Sequence, residues 1–312
     1  MSRVVVTGAT GFIGRGTLSP LLAAGLEVHA VTSRTPPADA PAGVHWHRAD
    51  LLDPPVADAL MAAIAPSHIL HLAWYAQPGA FWTSPENLRW VEASLRLLRS
   101  FADNGGQRAT IGGTCAEYEW GHHTVCREAT TPCLPATLYG TSKHALRLIA
   151  ERYCERVGVS LAWGRTFFVF GPGEDPARLG GSVARALALG AEAPCSHGEQ
   201  LRDFLYSEDL AEAFVALLCS DVAGAVNLAS GQPTRIRDLV QALGNAAGRP
   251  ELVRLGARPA GALEPVELIA DVTRLHDEVG WRPSRTLDQR AADTIAWWRD
   301  QLTDAVPPPG NA

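Results

Sequence analysis

The stretch "VVVTGATGFIG" (residues 4–14) joins a run of β-branched residues to three glycines, Gly8, Gly11 and Gly14. Such a run reads as a buried strand. The glycines let the backbone turn tightly and approach a pyrophosphate, whose charge meets free N–H groups at the start of the next helix. The spacing Gly-x-x-Gly-x-x-Gly differs from the commoner Gly-x-Gly-x-x-Gly. Its meaning therefore rests on context: a strand before, a helix after, inside a βαβ unit.

That context continues along the first half of the chain. "RVVVTG" (3–8), "EVHAVT" (27–32), "VHWHRA" (44–49), "HILHLA" (68–73), "RATIGG" (108–113) and "VSLAWG" (159–164) read as strands. Between them, "FIGRGTLSPLLAAG" (12–25), "PPVADALMAAIA" (54–65), "PENLRWVEASLRLLRSFADNGG" (85–106) and "LYGTSKHALRLIAERYCERVG" (138–158) read as helices, several closed by a glycine suited to a C-cap. Alternation of this kind predicts an α/β fold, a Rossmann-type doubly wound parallel sheet with helices on both faces. Pro20, inside the first helix, predicts a kink or early break. The Gly/Pro-rich "FGPGEDPARLGG" (170–181) opens a different pattern, with a helix near 181–190 and mixed elements beyond. The expected division is a dinucleotide-binding domain over 1–170 and a smaller mixed α/β C-terminal substrate lobe over 171–303, interleaved with the sheet. The end, 304–312, reads as a disordered tail.

The composition, 46% apolar and 19% charged over 312 residues, is that of a globular protein with a large core. No long apolar run predicts a membrane span, and the N-terminus reads directly as a strand rather than a leader. A net charge of −6 with mixed signs gives no basic stripe for nucleic acid. Six cysteines without a Cys-x-x-Cys pair read as reduced thiols in the cytoplasm, and no metal is expected. The adjacent pair His122–His123 lacks partners at ligand spacing.

The second strand ends in Thr32, followed by Ser33 and Arg34, where an acidic residue would hold the ribose 2′-hydroxyl of NAD. A hydroxyl and a guanidinium suit a 2′-phosphate, favouring NADP(H), with NAD(H) possible; the alternative for Arg34 is a solvated loop cation. Asp50, after the third strand, is placed to meet an adenine edge or to N-cap the following helix. Tyr139 and Lys143 stand one turn apart in "YGTSK", so both side chains can enter one pocket.

These segments occur in a fixed order: "TGATGFIG", "RADL", "HLA", "GGTCAEY", "YGTSK", "GPG", "RDF", "VNLASG" and "EVGWRP". Together, over roughly residues 3–300, they resemble the extended short-chain dehydrogenase/reductases, in the branch of epimerases, dehydratases and reductases acting on nucleotide-diphosphate sugars. The resemblance implies Thr114, Tyr139 and Lys143 as the catalytic group. Tyr139 moves the proton, Thr114 meets the reacting sugar oxygen, and Lys143 holds the nicotinamide ribose. The Lys143 ammonium is expected to lower the Tyr139 pKa. It extends the cofactor set to Phe12, Ile13, Leu51, Leu72 and Ala73, and it implies a homodimer through the helices at 85–106 and 138–158.

The reaction is narrower to read. Resembling dehydratases carry carboxyl groups just after the Ser/Thr, where this chain has Cys115 and Ala116. Glu117, one place later, is similar to a residue of 4-keto-6-deoxy sugar ketoreductases, or makes a structural hydrogen bond. Cys115 stands one place away from the cysteine of 3,5-epimerase/reductases. Phe168 replaces an Asn that contacts the diphosphate, and the helix Asn has Asn87 nearby and Trp90 in its place. Arg202 matches the diphosphate-binding Arg, or pairs with Asp203. Trp74 and Tyr75 line the sugar or nicotinamide pocket, or belong to the core. The leading expectation is an NADPH-dependent ketoreductase of a nucleotide-linked 4-keto (6-deoxy) sugar. Behind it stand a 4-epimerase with tightly bound NAD and, of another class, a cofactor-sensing protein without turnover.

Overall fold

Val4, Val5 and Val6 are fully buried and alternate between two cores on either side of one sheet, as the period of a strand requires. The computed structural model describes residues 2–121, 125–261 and 265–304. His122–His123 and the tail from residue 305 lie outside the described residues. In chain order, the first half comprises β1 (Arg3–Thr7), α1 (Gly14–Ala23), β2 (Glu27–Thr32), β3 (Val44–Arg48), α2 (Pro54–Ile64) and β4 (His68–His71). It continues through α3 (Glu86–Asp103), β5 (Arg108–Thr114), β6 (Val125–Cys126), α4 (Leu138–Val157), β7 (Ser160–Thr166) and β8 (Phe168–Phe170). Then come α5 (Leu179–Ala188), β9 (Ala193–Pro194), β10 (Leu201–Tyr206), α6 (Ser207–Cys219) and β11 (Gly224–Leu228). The last are β12 (Pro233–Arg235), α7 (Ile236–Ala247), β13 (Val253–Arg254), β14 (Glu267–Ala270) and α8 (Leu287–Asp304).

The main sheet has seven strands in the order β11-β7-β5-β4-β1-β2-β3, all parallel. One face packs on α1 and α6 through Leu18, Leu21, Leu210 and Phe214. The other packs on α2, α3 and α4 through Met61, Leu97, Phe101 and Leu146. This is the Rossmann-like α/β arrangement that the strand–helix alternation implies. A second, mixed sheet orders β12-β10-β14-β6, with β8 also on β10. β11 then returns to the main sheet beside β7. A third core joins α5, α7 and α8.

Two local expectations differ from the structure. Helix α1 begins at Gly14 rather than Phe12, because residues 8–13 form the turn itself, closed by Gly11 N–H donating to the Gly8 carbonyl at 2.9 Å. Helix α1 also runs through Pro20 to Ala23 without an early break. Proline removes one helical hydrogen bond, yet Pro20 still accepts from Ala24 N–H at 2.9 Å. Leu18 and Leu21 on either side are buried against α6, and that packing holds the last turn.

Candidate active site

In the sheet order, β1 lies between β4 and β2, so the chain leaves β1 towards opposite edges. A crevice opens at the strands' C-terminal ends at such a point. Gly8 follows β1 with φ +68°, a conformation L side chains rarely adopt. A Cβ there would sit 2.9 Å from Ala73 N, and one at Gly14 would run into the Gly8 carbonyl. No side chain caps the start of α1 and no acidic residue stands in its first turn, so its N-terminus is open to an anion. These features fit a dinucleotide pyrophosphate.

The floor of the cradle is tied by residues that spacing did not single out. Thr7 Oγ1 accepts from Leu72 N–H at 3.1 Å and Ala73 N–H at 3.2 Å, fixing both residues beside Gly8. The same hydroxyl lies 2.7 Å from His71 Nδ1, and His71 Nε2 lies 2.8 Å from Ser94 Oγ. Burial draws His71 down to about 3, so it serves as a neutral bridge. Thr32 Oγ1 lies 3.0 Å from Thr10 Oγ1 and accepts from Arg34 N–H at 3.1 Å, joining the end of β2 to the cradle. Ser33 and Arg34 beyond it are exposed. Asp50 is exposed and accepts from Leu52 N–H at 3.0 Å in its own turn, while Asp53 takes the N-cap position of α2. Leu51 is buried.

Thr114 ends β5, and Tyr139 and Lys143 rise from the first turns of α4, begun by Thr137, whose hydroxyl accepts from Gly140 N–H at 3.1 Å. The Tyr139 and Thr114 hydroxyls share a hydrogen bond. Lys143 donates to the Gly112 carbonyl at 2.7 Å, with its ammonium 3.8 Å over the Trp74 ring. Trp74 in turn donates to Asn87 Oδ1 at 2.9 Å, and Asn87 donates to the Phe81 and Ser84 carbonyls. Asn87 is thus the peg that fixes the 74–87 loop, and the Trp90 ring lies tilted at 6.3 Å from Trp74.

The electrostatics correct one expectation. Lys143 is expected to lower the Tyr139 pKa, but burial pushes the phenol up to about 12, and the Thr114 hydrogen bond draws it only partly back. Burial draws Lys143 down to about 7, against the opposing field of Glu117. Lys143 is the only lysine in the chain. Labelling with ¹³C-lysine therefore gives one Cε resonance, expected to titrate at about 7 instead of the ordinary 10.5. The unfolded chain holds that proton more tightly, so the residue costs stability below about pH 7 and the cost is relieved as pH rises towards 10.5. A midpoint near the ordinary value contradicts this placement.

Of the two roles expected for Glu117, the structure displays the structural hydrogen bonds. Glu117 is 0% exposed and accepts from Thr114 N–H at 3.0 Å, Trp163 Nε1 at 2.8 Å and Arg165 Nε at 3.1 Å. With Thr114 it closes a capping box over the turn at 115–117. Arg165, 1% exposed, also donates to the Tyr118 hydroxyl at 2.9 Å, which donates to Asn227 Oδ1 at 2.7 Å. Cys115 is buried, its thiol pushed up by burial and in the field of Arg202. Arg202 is 3% exposed with its guanidinium 5.2 Å over the Phe168 ring. Asp203 accepts from Ser230, Gly231 and Ala270. Tyr75 is half-buried after Trp74.

A seven-stranded parallel sheet with flanking helices and a glycine turn at its switch point is a Rossmann-like α/β fold. The chain belongs to the NAD-dependent epimerase/dehydratase family, whose model matches residues 4–229. It is 29% identical to a GDP-6-deoxy-D-mannose reductase of Pseudomonas aeruginosa over 323 aligned residues, covering 97% of this chain and 99% of the relative. A UDP-glucose 4-epimerase of Corynebacterium glutamicum is 26% identical, covering 95% and 94%. Among solved structures, a Thermus thermophilus UDP-glucose 4-epimerase in complex with NAD superposes with a TM-score of 0.81 at 26% identity, covering 95% and 99%.

Proposed function

We propose that this chain is an NADPH-dependent reductase of a 4-keto-6-deoxy sugar linked to a nucleoside diphosphate. The observation that carries the reading is the joining of Thr114, Tyr139 and Lys143 at the rim of the glycine cradle, with the phenol held protonated near neutrality. Gly8, Gly11, Phe12, Ile13 and Gly14 receive the pyrophosphate, Ser33 and Arg34 the 2′-phosphate, and Asp50 and Leu51 the adenine. Leu72 and Ala73 back the cofactor, and Lys143 holds its ribose. The nicotinamide, when bound, supplies the hydride. Thr114 and Tyr139 grip the C4 carbonyl oxygen of the sugar, and as that oxygen gains charge Tyr139 gives it the proton. A protonated phenol is the form a reductase needs at the start of its cycle. Arg202 turns its fork to the diphosphate, with Cys115, Phe168 and Trp74 lining the substrate path.

Cys115 and Ala116 bring no carboxyl group beside Thr114, which weighs against elimination of water. The likeness to the Pseudomonas reductase supports reduction. The second reading, a 4-epimerase that retains NAD, is favoured by the likeness to the Corynebacterium enzyme. The α3–α4 face, where Leu88, Leu148 and Ile149 are exposed, supports a homodimer. No helix among the described residues is long and apolar enough to cross a membrane.

Coenzyme choice tests the reading at Arg34. Removing a charge-assisted contact to phosphate costs about 1.5–3 kcal/mol, or roughly 10- to 150-fold in affinity. Arg34→Ala is expected to weaken NADPH by that factor and NADH hardly at all, measured by fluorescence titration. Equal losses for both coenzymes contradict the 2′-phosphate role.

A further inference from the structure

We propose that Phe81, Trp82 and Trp120 form an apolar subsite for the C6 methyl group of the sugar, and that this wall selects 6-deoxyhexoses over hexoses bearing a C6 hydroxyl. The inference rests on the reading of Tyr139 as the group that meets the C4 oxygen.

The three rings come from two loops; Phe81 and Trp82 meet Tyr139, and Trp120 meets Trp82. Phe81 and Trp82 follow β4, and Trp120 follows β5. The Tyr139 ring meets Phe81 edge-on at 4.9 Å and Trp82 at 5.8 Å. Trp82 meets Trp120 edge-on at 6.0 Å and Phe81 at 4.3 Å. Each ring is held from behind. Tyr139 N–H donates to the Trp82 carbonyl at 3.1 Å, Asn87 donates to the Phe81 carbonyl at 2.7 Å, and Trp120 Nε1 donates to the Cys115 carbonyl at 3.0 Å. Arg178 lies 5.6 Å over the Phe81 ring. Trp82 and Trp120 are only half-buried, so ring surface remains reachable beside Tyr139.

The chemistry of a hexose then limits what the wall can receive. A group in contact with the C4 oxygen has as nearest substituents the C3 hydroxyl and the C6 carbon carried by C5. Aromatic carbon offers no acceptor for a hydroxyl, and the indole N–H of Trp120 is already committed to Cys115. The proton of a C6 hydroxyl pressed there would leave water without gaining an acceptor from these rings, whereas a methyl group gains by leaving water. A wall of this composition therefore suits a methyl group. It is a specificity device separate from the proton-transfer pair, and spacing in the sequence gave no sign of it.

Matched pairs of hexose and 6-deoxyhexose of the same stereochemistry, linked to UDP, dTDP, GDP and CDP, provide the test. Their affinities are measured by calorimetry with NADP⁺ present. The 6-deoxy member of the pair that binds is expected to be favoured on the order of tenfold or more. Trp82→Ala and Trp120→Ala should bring the ratio close to one, with NADP⁺ affinity unchanged. Trp82→Gln, which puts an amide where the ring was, should improve binding of the 6-hydroxyl member. Equal binding of both members by the unsubstituted protein, or a ratio that survives these substitutions, overturns the subsite while leaving the reductase reading intact. If NADP⁺ binds but no sugar nucleotide of any pair does, the reductase reading falls and the subsite with it.

Discussion

Replacing Tyr139 by Phe lowers kcat by about 10²- to 10⁴-fold, the span of general acid–base catalysis, while affinity for coenzyme and nucleotide sugar changes little. The ring stays edge-on to Phe81 and Trp82, because those contacts need no hydroxyl. The lost atom is the one hydrogen-bonded to Thr114. A residue acting only in packing would move stability and not kcat, so thermal melting and steady-state kinetics on one preparation separate the two. The pH profile adds a sign. Burial holds the phenol up at about 12, so the proton donor is loaded throughout the neutral range. Reduction should not lose activity to Tyr139 ionisation below that region. An acidic onset of phenolate, midway through the neutral range, would contradict the assignment, as would a Tyr139→Phe enzyme with undiminished kcat.

Glu117→Ala is expected to cost about 3–5 kcal/mol of stability, the usual loss when one partner of a buried ion pair is removed. Arg165 would remain 1% exposed with its nearest carboxylate gone, and the Trp163 N–H and the Thr114 N–H would lose their acceptor. Crowding makes repacking difficult: a Cβ on Gly113 would meet Glu117 Oε1 at 2.7 Å and collide with the Trp163 indole. Activity should fall as well, because the capping box positions Thr114. Glu117→Gln keeps the shape but turns an amide towards Arg165, so it should lie between the two proteins. Denaturant midpoints measure the effect. A Glu117→Ala protein as stable as the parent would show the pair to be dispensable.

The glycine turn and the Tyr139–Lys143 spacing were legible because both are local: each needs only a few residues in one βα or helical segment. Strand–helix alternation likewise carried the parallel sheet, since the buried runs end where the backbone turns. Glu117 was not legible in the same way. Its partners Trp163 and Arg165 lie 46 and 48 residues away and meet it only once β5 and β7 pair. The direction of the Tyr139 shift was missed for a related reason. Proximity to Lys143 can be counted along a helix, whereas desolvation depends on Phe81 and Trp82, which reach Tyr139 from a distant loop. Pro20 misled because a local rule met long-range packing on α6. The floor made by Thr7, His71 and Ser94 has a faint signal in retrospect, a polar residue at the end of each of two core strands.

A cleft that spends NADPH on a keto sugar must show it in turnover. The direct measurement mixes the purified protein with NADPH and a panel of 4-keto-6-deoxy sugars linked to each nucleoside diphosphate. The reduced-nicotinamide absorbance is followed while the sugars are resolved by chromatography. Stoichiometric loss of that absorbance with formation of the 4-hydroxy sugar is the result expected. Interconversion of 4-hydroxy sugars with no net consumption of coenzyme, by a protein that carries NAD through purification, would contradict it.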